Sequence, residues 1–154
     1  MSQTNTIEPR LIRKPDYTIY KPNRKGQGGA ISFSFNQQKE AVFVEAAPQK
    51  AEKKFDWDRK IIMKWGISDL GTILAGLQSQ KPVTKLFHQT ERASSACNLS
   101  CRIGEDGMTS FFLTISRQDA ATKEVQKLSI PISDAEVSIL EIAFKTAIGR
   151  ILSW

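Results

Sequence analysis

The sequence predicts an antiparallel α+β fold whose helices lie on one side of the sheets. Two observations carry this reading. Short runs alternate apolar and polar residues, and they fall in the order strands, helix, strands, helix, with no βαβ alternation and no internal repeat. A capping box followed by a wide apolar stripe then marks the last helix, the best-determined element of the chain.

Residues 1–16 are polar and aperiodic and read as a flexible arm ahead of a single domain over 17–154. Tyr17 to Tyr20 reads as a short strand stopped by Pro22, followed by the basic, glycine-rich loop Asn23-Arg24-Lys25-Gly26-Gln27-Gly28-Gly29. Ile31 to Asn36 alternates strictly, Gln37-Gln38-Lys39 is a hairpin-sized break, and Ala41 to Ala46 is the returning strand, ended by Pro48. After a charged connection, Lys60 to Trp65 forms the next strand. Ser68 reads as an N-cap with Asp69 in the first turn, placing a helix over Asp69 to Leu77, and Pro82 closes that connection.

Further strands are expected over Thr84 to His88, Cys97 to Ile103, Ser110 to Ser116 and Val125 to Ile132, with Glu105-Asp106-Gly107 as a turn. Ser133-Asp134-Ala135-Glu136 opens the final helix, which runs to about Leu152. Val137, Leu140, Phe144, Ala147, Ile148, Ile151 and Leu152 share its core face. Ile139 and Ile142 fall on the opposite side, where they are either isolated exposed residues or a contact with another subunit.

A chain of 154 residues, 40% hydrophobic and 25% charged, buries a core without disulfides or metal. No apolar run approaches the ~18 residues of a membrane span, and the N-terminus has no secretory pattern and is a weak fit to a transit peptide, so the chain reads as soluble and unprocessed. Cys97 and Cys101 lie four apart in an extended segment, about 13 Å at the usual strand rise, and read as reduced, packed thiols.

The net charge of +6 is unevenly spread. Residues 1–66 hold 13 Lys/Arg and 7 Asp/Glu, whereas residues 67–154 hold 9 of each. The excess is either a solvated face or a sequence-independent grip on phosphates.

Enzyme chemistry finds little support. His88 is the only histidine, a zinc site would have to join it to Cys97, Cys101 and a carboxylate, and Asp56 and Asp58 are flanked by cations that suit ion pairing. Gly26-x-Gly28-Gly29 precedes a strand, whereas nucleotide-hydrolysing loops follow one and open a helix; it is either a turn or a phosphate contact beside Arg24 and Lys25. A non-catalytic protein without cofactor or metal is expected. Phe33 and Phe35 read as core. Phe111 and Phe112 point to opposite faces, with Phe111 in the core and Phe112 among Ser110, Thr114 and Ser116 as an exposed stacking platform. Trp57 is a stacking ring or a boundary residue. Lys60 and Lys64 share the side of their strand opposite Ile61, Met63 and Trp65.

Phe55-Asp56-Trp57-Asp58-Arg59-Lys60, followed by Ile67-Ser68-Asp69-Leu70-Gly71-Thr72-Ile73-Leu74, resembles the Whirly single-stranded-DNA-binding proteins, with their aromatic-Asp-Trp-x-Arg-Lys run and Gly-Thr helix start. Leu86-Phe87-His88, the stretch from Ser129 to Glu136, the terminal Ile151-Leu152-Ser153-Trp154 and Lys25-Gly26-Gln27-Gly28-Gly29-Ala30 are similar to further segments of that family, in order over about 17–154. Gln27 and Gly28 replace a Lys and an Ala of the glycine motif, and the connection between residues 36 and 40 is shorter than in plant members.

The resemblance implies two crossed antiparallel four-stranded β-sheets with two helices, a homotetramer joined through the helices, and single-strand binding along the sheets and between protomers. It implies a sequence-independent single-stranded-DNA-binding protein of replication, recombination or repair. Arg24, Lys25, Lys60, Lys64 and Lys85 are the expected phosphate contacts, Trp57 and Phe112 the stacking rings, and Ile139 and Ile142 the oligomer interface. The alternatives are an RNA strand-annealing protein similar to the guide-RNA-binding proteins of trypanosome mitochondria, and a transcription-regulating module, for which no major-groove reading helix is recognisable. Expected locations are the cytoplasm or nucleoid of a bacterium or phage, or the mitochondrial matrix in a eukaryote.

Overall fold

In the computed structural model, residues 16–154 are described; the first fifteen residues of the expected N-terminal arm lie outside them. Strands β1 (Asp16–Lys21), β2 (Gly29–Asn36) and β3 (Ala41–Ala51) form an antiparallel meander. The far edge of β3 is shared by two short strands in tandem. β4 (Lys54–Phe55) pairs with its C-terminal end and β5 (Ile61–Trp65) with Val42 to Ala46, so the sheet has five strands in four columns. A single 3₁₀ turn, Trp57–Arg59, separates the two.

Helix α1 (Ile67–Ser79) leads to a second antiparallel meander of β6 (Val83–Gln89), β7 (Ala93–Ile103), β8 (Thr109–Asp119) and β9 (Val125–Ile132). Helix α2 (Asp134–Leu152) follows β9 and packs against α1. Both sheets contribute one register to a shared core: Ile31, Val44 and Trp65 from the first, Cys97, Leu113 and Ile130 from the second. Phe33, Trp65 and Phe144 meet pairwise at ring-centroid distances of 5.8–6.1 Å and tie α2 to the first sheet.

Two glycines set how closely the layers approach. A Cβ at Gly29 would collide with Leu128 of β9, where the two sheets touch, and one at Gly76 would collide with Thr84, where α1 rests on β6. The close fit leaves Thr84 Oγ1 buried without a hydrogen-bond partner.

Several boundaries differ from expectation, each for a local reason. Pro48 lies inside β3 instead of ending it. The Gly29–Pro48 pair is flanked by the Gln49 N–H donating to Gly28 O at 3.0 Å, so the proline nitrogen faces away from β2 and costs that ladder nothing. Helix α1 starts at Ile67 with Gly66 as its cap, because the Leu70 N–H reaches Gly66 O at 2.9 Å; Ser68 sits within the helix. Strand β7 begins at Ala93, four residues early, since this poor strand-forming stretch is held between β6 and β8. Helix α2 has the expected capping box, with the Glu136 N–H donating to Ser133 Oγ at 3.2 Å and the Ser133 N–H to Glu136 Oε1 at 2.8 Å. Leu140, Phe144 and Ala147 are buried, but Leu152, expected in the core stripe, is exposed at the helix end.

Candidate nucleic-acid interface

With one register of β6–β9 buried, the other forms an outer face whose composition follows from the pairing. Its cross-strand rows run Val83–Ser100–Phe112–Pro131, Lys85–Asn98–Thr114–Ser129, Phe87–Ala96–Ser116–Lys127 and Gln89–Ser94–Gln118–Val125. Arg102 lies one row beyond, its guanidinium 5.2 Å from the centre of the Phe112 ring. This face holds Lys85, Arg102 and Lys127 and no carboxylate.

The nine acidic residues of 67–154 are elsewhere: Asp69 on α1, Glu91, Glu105, Asp106 and Glu124 in connections, Asp119 on the inward register of β8, and Asp134, Glu136 and Glu141 on α2. A half-chain with no net charge therefore builds a sheet face of one sign. Between the cations the surface is mostly Ser, Thr, Ala and Asn, short side chains that let an extended polymer lie close to the sheet. Phe87 stands out of it at 64% exposure, while Phe112 is half-buried.

The outer face of the first sheet is mixed. Lys64 is exposed beside Phe43, Lys60 forms an ion pair with Glu45 at 3.2 Å, and Ile62, half-exposed, separates the two lysines in sequence. The Tyr20 and Phe55 rings meet at 5.7 Å, and Trp57 follows, half-buried on its 3₁₀ turn. Arg24 and Lys25 are exposed on the glycine-rich loop next to this aromatic corner.

Seven expected nucleic-acid contacts are thus divided between two sheets. Lys85 and Phe112 belong to the second, whereas Arg24, Lys25, Trp57, Lys60 and Lys64 lie on or beside the first. Sequence reasoning missed Phe87, Arg102 and Lys127 on the second face and the Tyr20–Phe55 pair on the first. The alternation that marks Leu86, Leu113 and Ile130 as core also marks the opposite register as exposed, and reading it would have found the first three.

His88 Nε2 lies 2.9 Å from Asp69 Oδ2, so the only histidine joins β6 to the first turn of α1. Burial, with the nearby Asp69 carboxylate, pushes the Cys97 thiol up to about 12, and Cys101 is raised by burial as well. Both are free, protonated at neutral pH, and packed into the core.

The family model described as "Whirly transcription factor" matches residues 24–143. The chain belongs to the Whirly family. The mitochondrial single-stranded DNA-binding protein WHY2 of Arabidopsis thaliana is 24% identical over 74% of this Whirly chain and 49% of its own length. The chloroplastic single-stranded DNA-binding protein WHY1 of Solanum tuberosum is 23% identical over 97% of this chain and 51% of its own. The chain thus spans about half the length of these curated relatives.

The Whirly fold is shared with the plant transcriptional regulator PBF-2, at TM-score 0.70 and 22% identity, covering 90% of this chain and 82% of that one. It is also shared with a guide-RNA-binding protein complex solved with its RNA, at TM-score 0.67 and 10% identity, covering 95% and 97%.

Proposed function

We propose that this Whirly chain is a sequence-independent single-stranded-DNA-binding protein that protects exposed strands in replication, recombination or repair. The observation that carries the reading is the outer face of β6–β9, with three cations, two phenylalanines and no carboxylate. Stacking contributes roughly 1–3 kcal/mol per base whatever the base, and phosphate contacts are equally indifferent to sequence, so this surface favours affinity without base discrimination. The printed names of the two curated relatives, both single-stranded DNA-binding proteins, support the same ligand. Residues 17–154 act as one binding domain, in which Lys85 and Phe112 join Phe87, Arg102 and Lys127, and Arg24, Lys25, Lys60, Lys64 and Trp57 extend the contact over the first sheet.

The chain assembles as a homotetramer through α2. Ile139 and Ile142 support this, being 44% and 66% exposed on the helix face turned away from the core. The mitochondrial location in the name of one relative supports the mitochondrial matrix among the expected compartments, whereas the other relative is chloroplastic.

A second reading, RNA strand annealing, is favoured by the likeness to the guide-RNA-binding complex. A fluorescence titration with single-stranded DNA, duplex DNA and RNA at two salt concentrations decides between them. Tight, salt-dependent binding of single-stranded DNA with weak duplex binding is expected. Affinity that ignores salt would overturn the phosphate grip, and in a strand-annealing assay with RNA and DNA of the same sequence, faster annealing of RNA with weak DNA protection would favour the second reading.

A further inference from the structure

Gln49 is only 8% exposed, and its side chain spends its whole hydrogen-bonding capacity on neighbouring backbone. Its Oε1 accepts from the Asn23 N–H at 3.0 Å and the Gly28 N–H at 2.9 Å. Its Nε2 donates to Asn23 O at 3.0 Å and to Ala51 O at 3.2 Å. Three of these four bonds grip the two ends of the loop that carries Arg24 and Lys25.

The loop is further restricted from within. The Gln27 N–H donates to Asn23 Oδ1 at 2.9 Å and the Gly26 N–H to Asn23 O at 3.2 Å. Any Cβ at Gly28 would overlap Lys21 O and crowd Gln49 Oε1, so the loop closes back on β1 with room for hydrogen alone. The glycine that departs from the resembling motif is therefore the residue that lets the Gln49 carbonyl reach the loop.

The same glutamine also anchors the aromatic corner. Gln49 pairs with Phe55 across β3 and β4, and the Asp56 N–H donates to Pro48 O at 2.8 Å. The Phe55 ring lies 5.7 Å from Tyr20, the residue before Lys21, where the chain leaves β1 for the loop.

We infer that Gln49 is a positioning residue that holds the Arg24–Lys25 loop at a fixed distance from the Tyr20–Phe55 ring pair, so that together they form a subsite for one nucleotide unit of a single strand. The phosphate lies against the two cations and the base against the rings. This inference rests on the proposed single-strand binding. Positioning matters because two mobile cations lose side-chain and loop entropy on meeting a phosphate, whereas a loop already fixed by three hydrogen bonds to Gln49 and two of its own loses less.

The test compares Gln49→Leu, Arg24→Ala/Lys25→Ala and the triple variant, using a single-stranded oligothymidylate titrated over a range of salt. Gln49→Leu is expected to speed hydrogen exchange at the Gly28 amide and to lower the log–log salt slope by about 0.7 to 1.4, the contribution of one to two phosphates. The double variant should lower it by the same amount, and the triple variant no further. A wild-type slope in Gln49→Leu despite faster Gly28 exchange would overturn the inference, as would fully additive losses in the triple variant. If Gln49→Leu does not fold, Gln49→Asn, which keeps the amide on a stem one carbon shorter, takes its place. Wild-type protein that failed to bind the oligonucleotide would overturn the parent reading instead, so the two failures are distinguishable.

Discussion

Lys60 Nζ lies 3.2 Å from Glu45 Oε1 on the outer face of the first sheet, so this cation already has an anionic partner before any phosphate arrives. A phosphate there must displace the carboxylate. Glu45→Gln should therefore raise single-strand affinity, and because exposed pairs contribute about 0.2–1 kcal/mol the gain is at most about fivefold at low salt. Lys64→Ala should weaken binding more than Lys60→Ala does. Equal losses, or weaker binding by Glu45→Gln in a fluorescence titration, would contradict the pairing argument.

Burial opposes ionisation of Glu136, but the Lys21 ammonium at 2.8 Å and the Ser133 amide outweigh it and hold the carboxyl below the usual glutamate range. A depressed folded-state value stabilises above the unfolded one and is lost as the pH falls through it. Glu136→Gln should be less stable than wild type at neutral pH, and the gap should close as the pH drops below about 4. Denaturant titrations at several pH values check this; a gap that widens in acid would be the wrong sign.

Thr84→Val replaces a buried hydroxyl that has no partner with a methyl group of nearly the same shape. Removing an unsatisfied polar atom should stabilise the fold by about 1 kcal/mol. A lower melting temperature would mean that the hydroxyl finds a partner in solution.

Phe87 is the most exposed ring of the second sheet's outer face and packs on nothing in the core. Phe87→Ala should leave the melting temperature nearly unchanged and weaken single-strand binding by about 1 kcal/mol or more. Undiminished affinity would remove the Phe87 row from the contact.

Ile142→Asp should break the proposed α2-mediated assembly while leaving a folded chain, because the side chain is 66% exposed in the protomer. Sedimentation velocity together with circular dichroism separates the two effects. An assembly that keeps its size would exclude this face as the interface.

Much of the architecture was legible because burial imposes a period. The 3.6-residue repeat placed Leu140, Phe144 and Ala147 on one face of α2, and the two-residue repeat placed Phe111, Leu113 and Ile115 inward. The interface was only half legible, since its parts are joined by pairing and not by proximity in sequence. Lys60 looked like a free cation because Glu45 is fifteen residues away, and Tyr20 and Phe55 met only once β3 carried Gln49 beside β4. Net charge also misled: acids and bases cancel over 67–154 as a count, but the sheet sorts them onto different surfaces. Pro48 fits a strand only because its ladder position, invisible before the register is known, asks for no N–H toward β2.

The 3₁₀ turn at Trp57–Arg59 has a consequence for how the protein behaves in a crowded solution. An unbroken strand along β3 would leave a long row of free amides and carbonyls open to any passing extended chain. Instead that margin is cut into a two-residue and a five-residue piece, while on the opposite sheet one of the two edge strands, β9, carries Pro131 near its end. A chain with a broad, exposed sheet face thereby offers a passing extended chain fewer continuous edges to pair with.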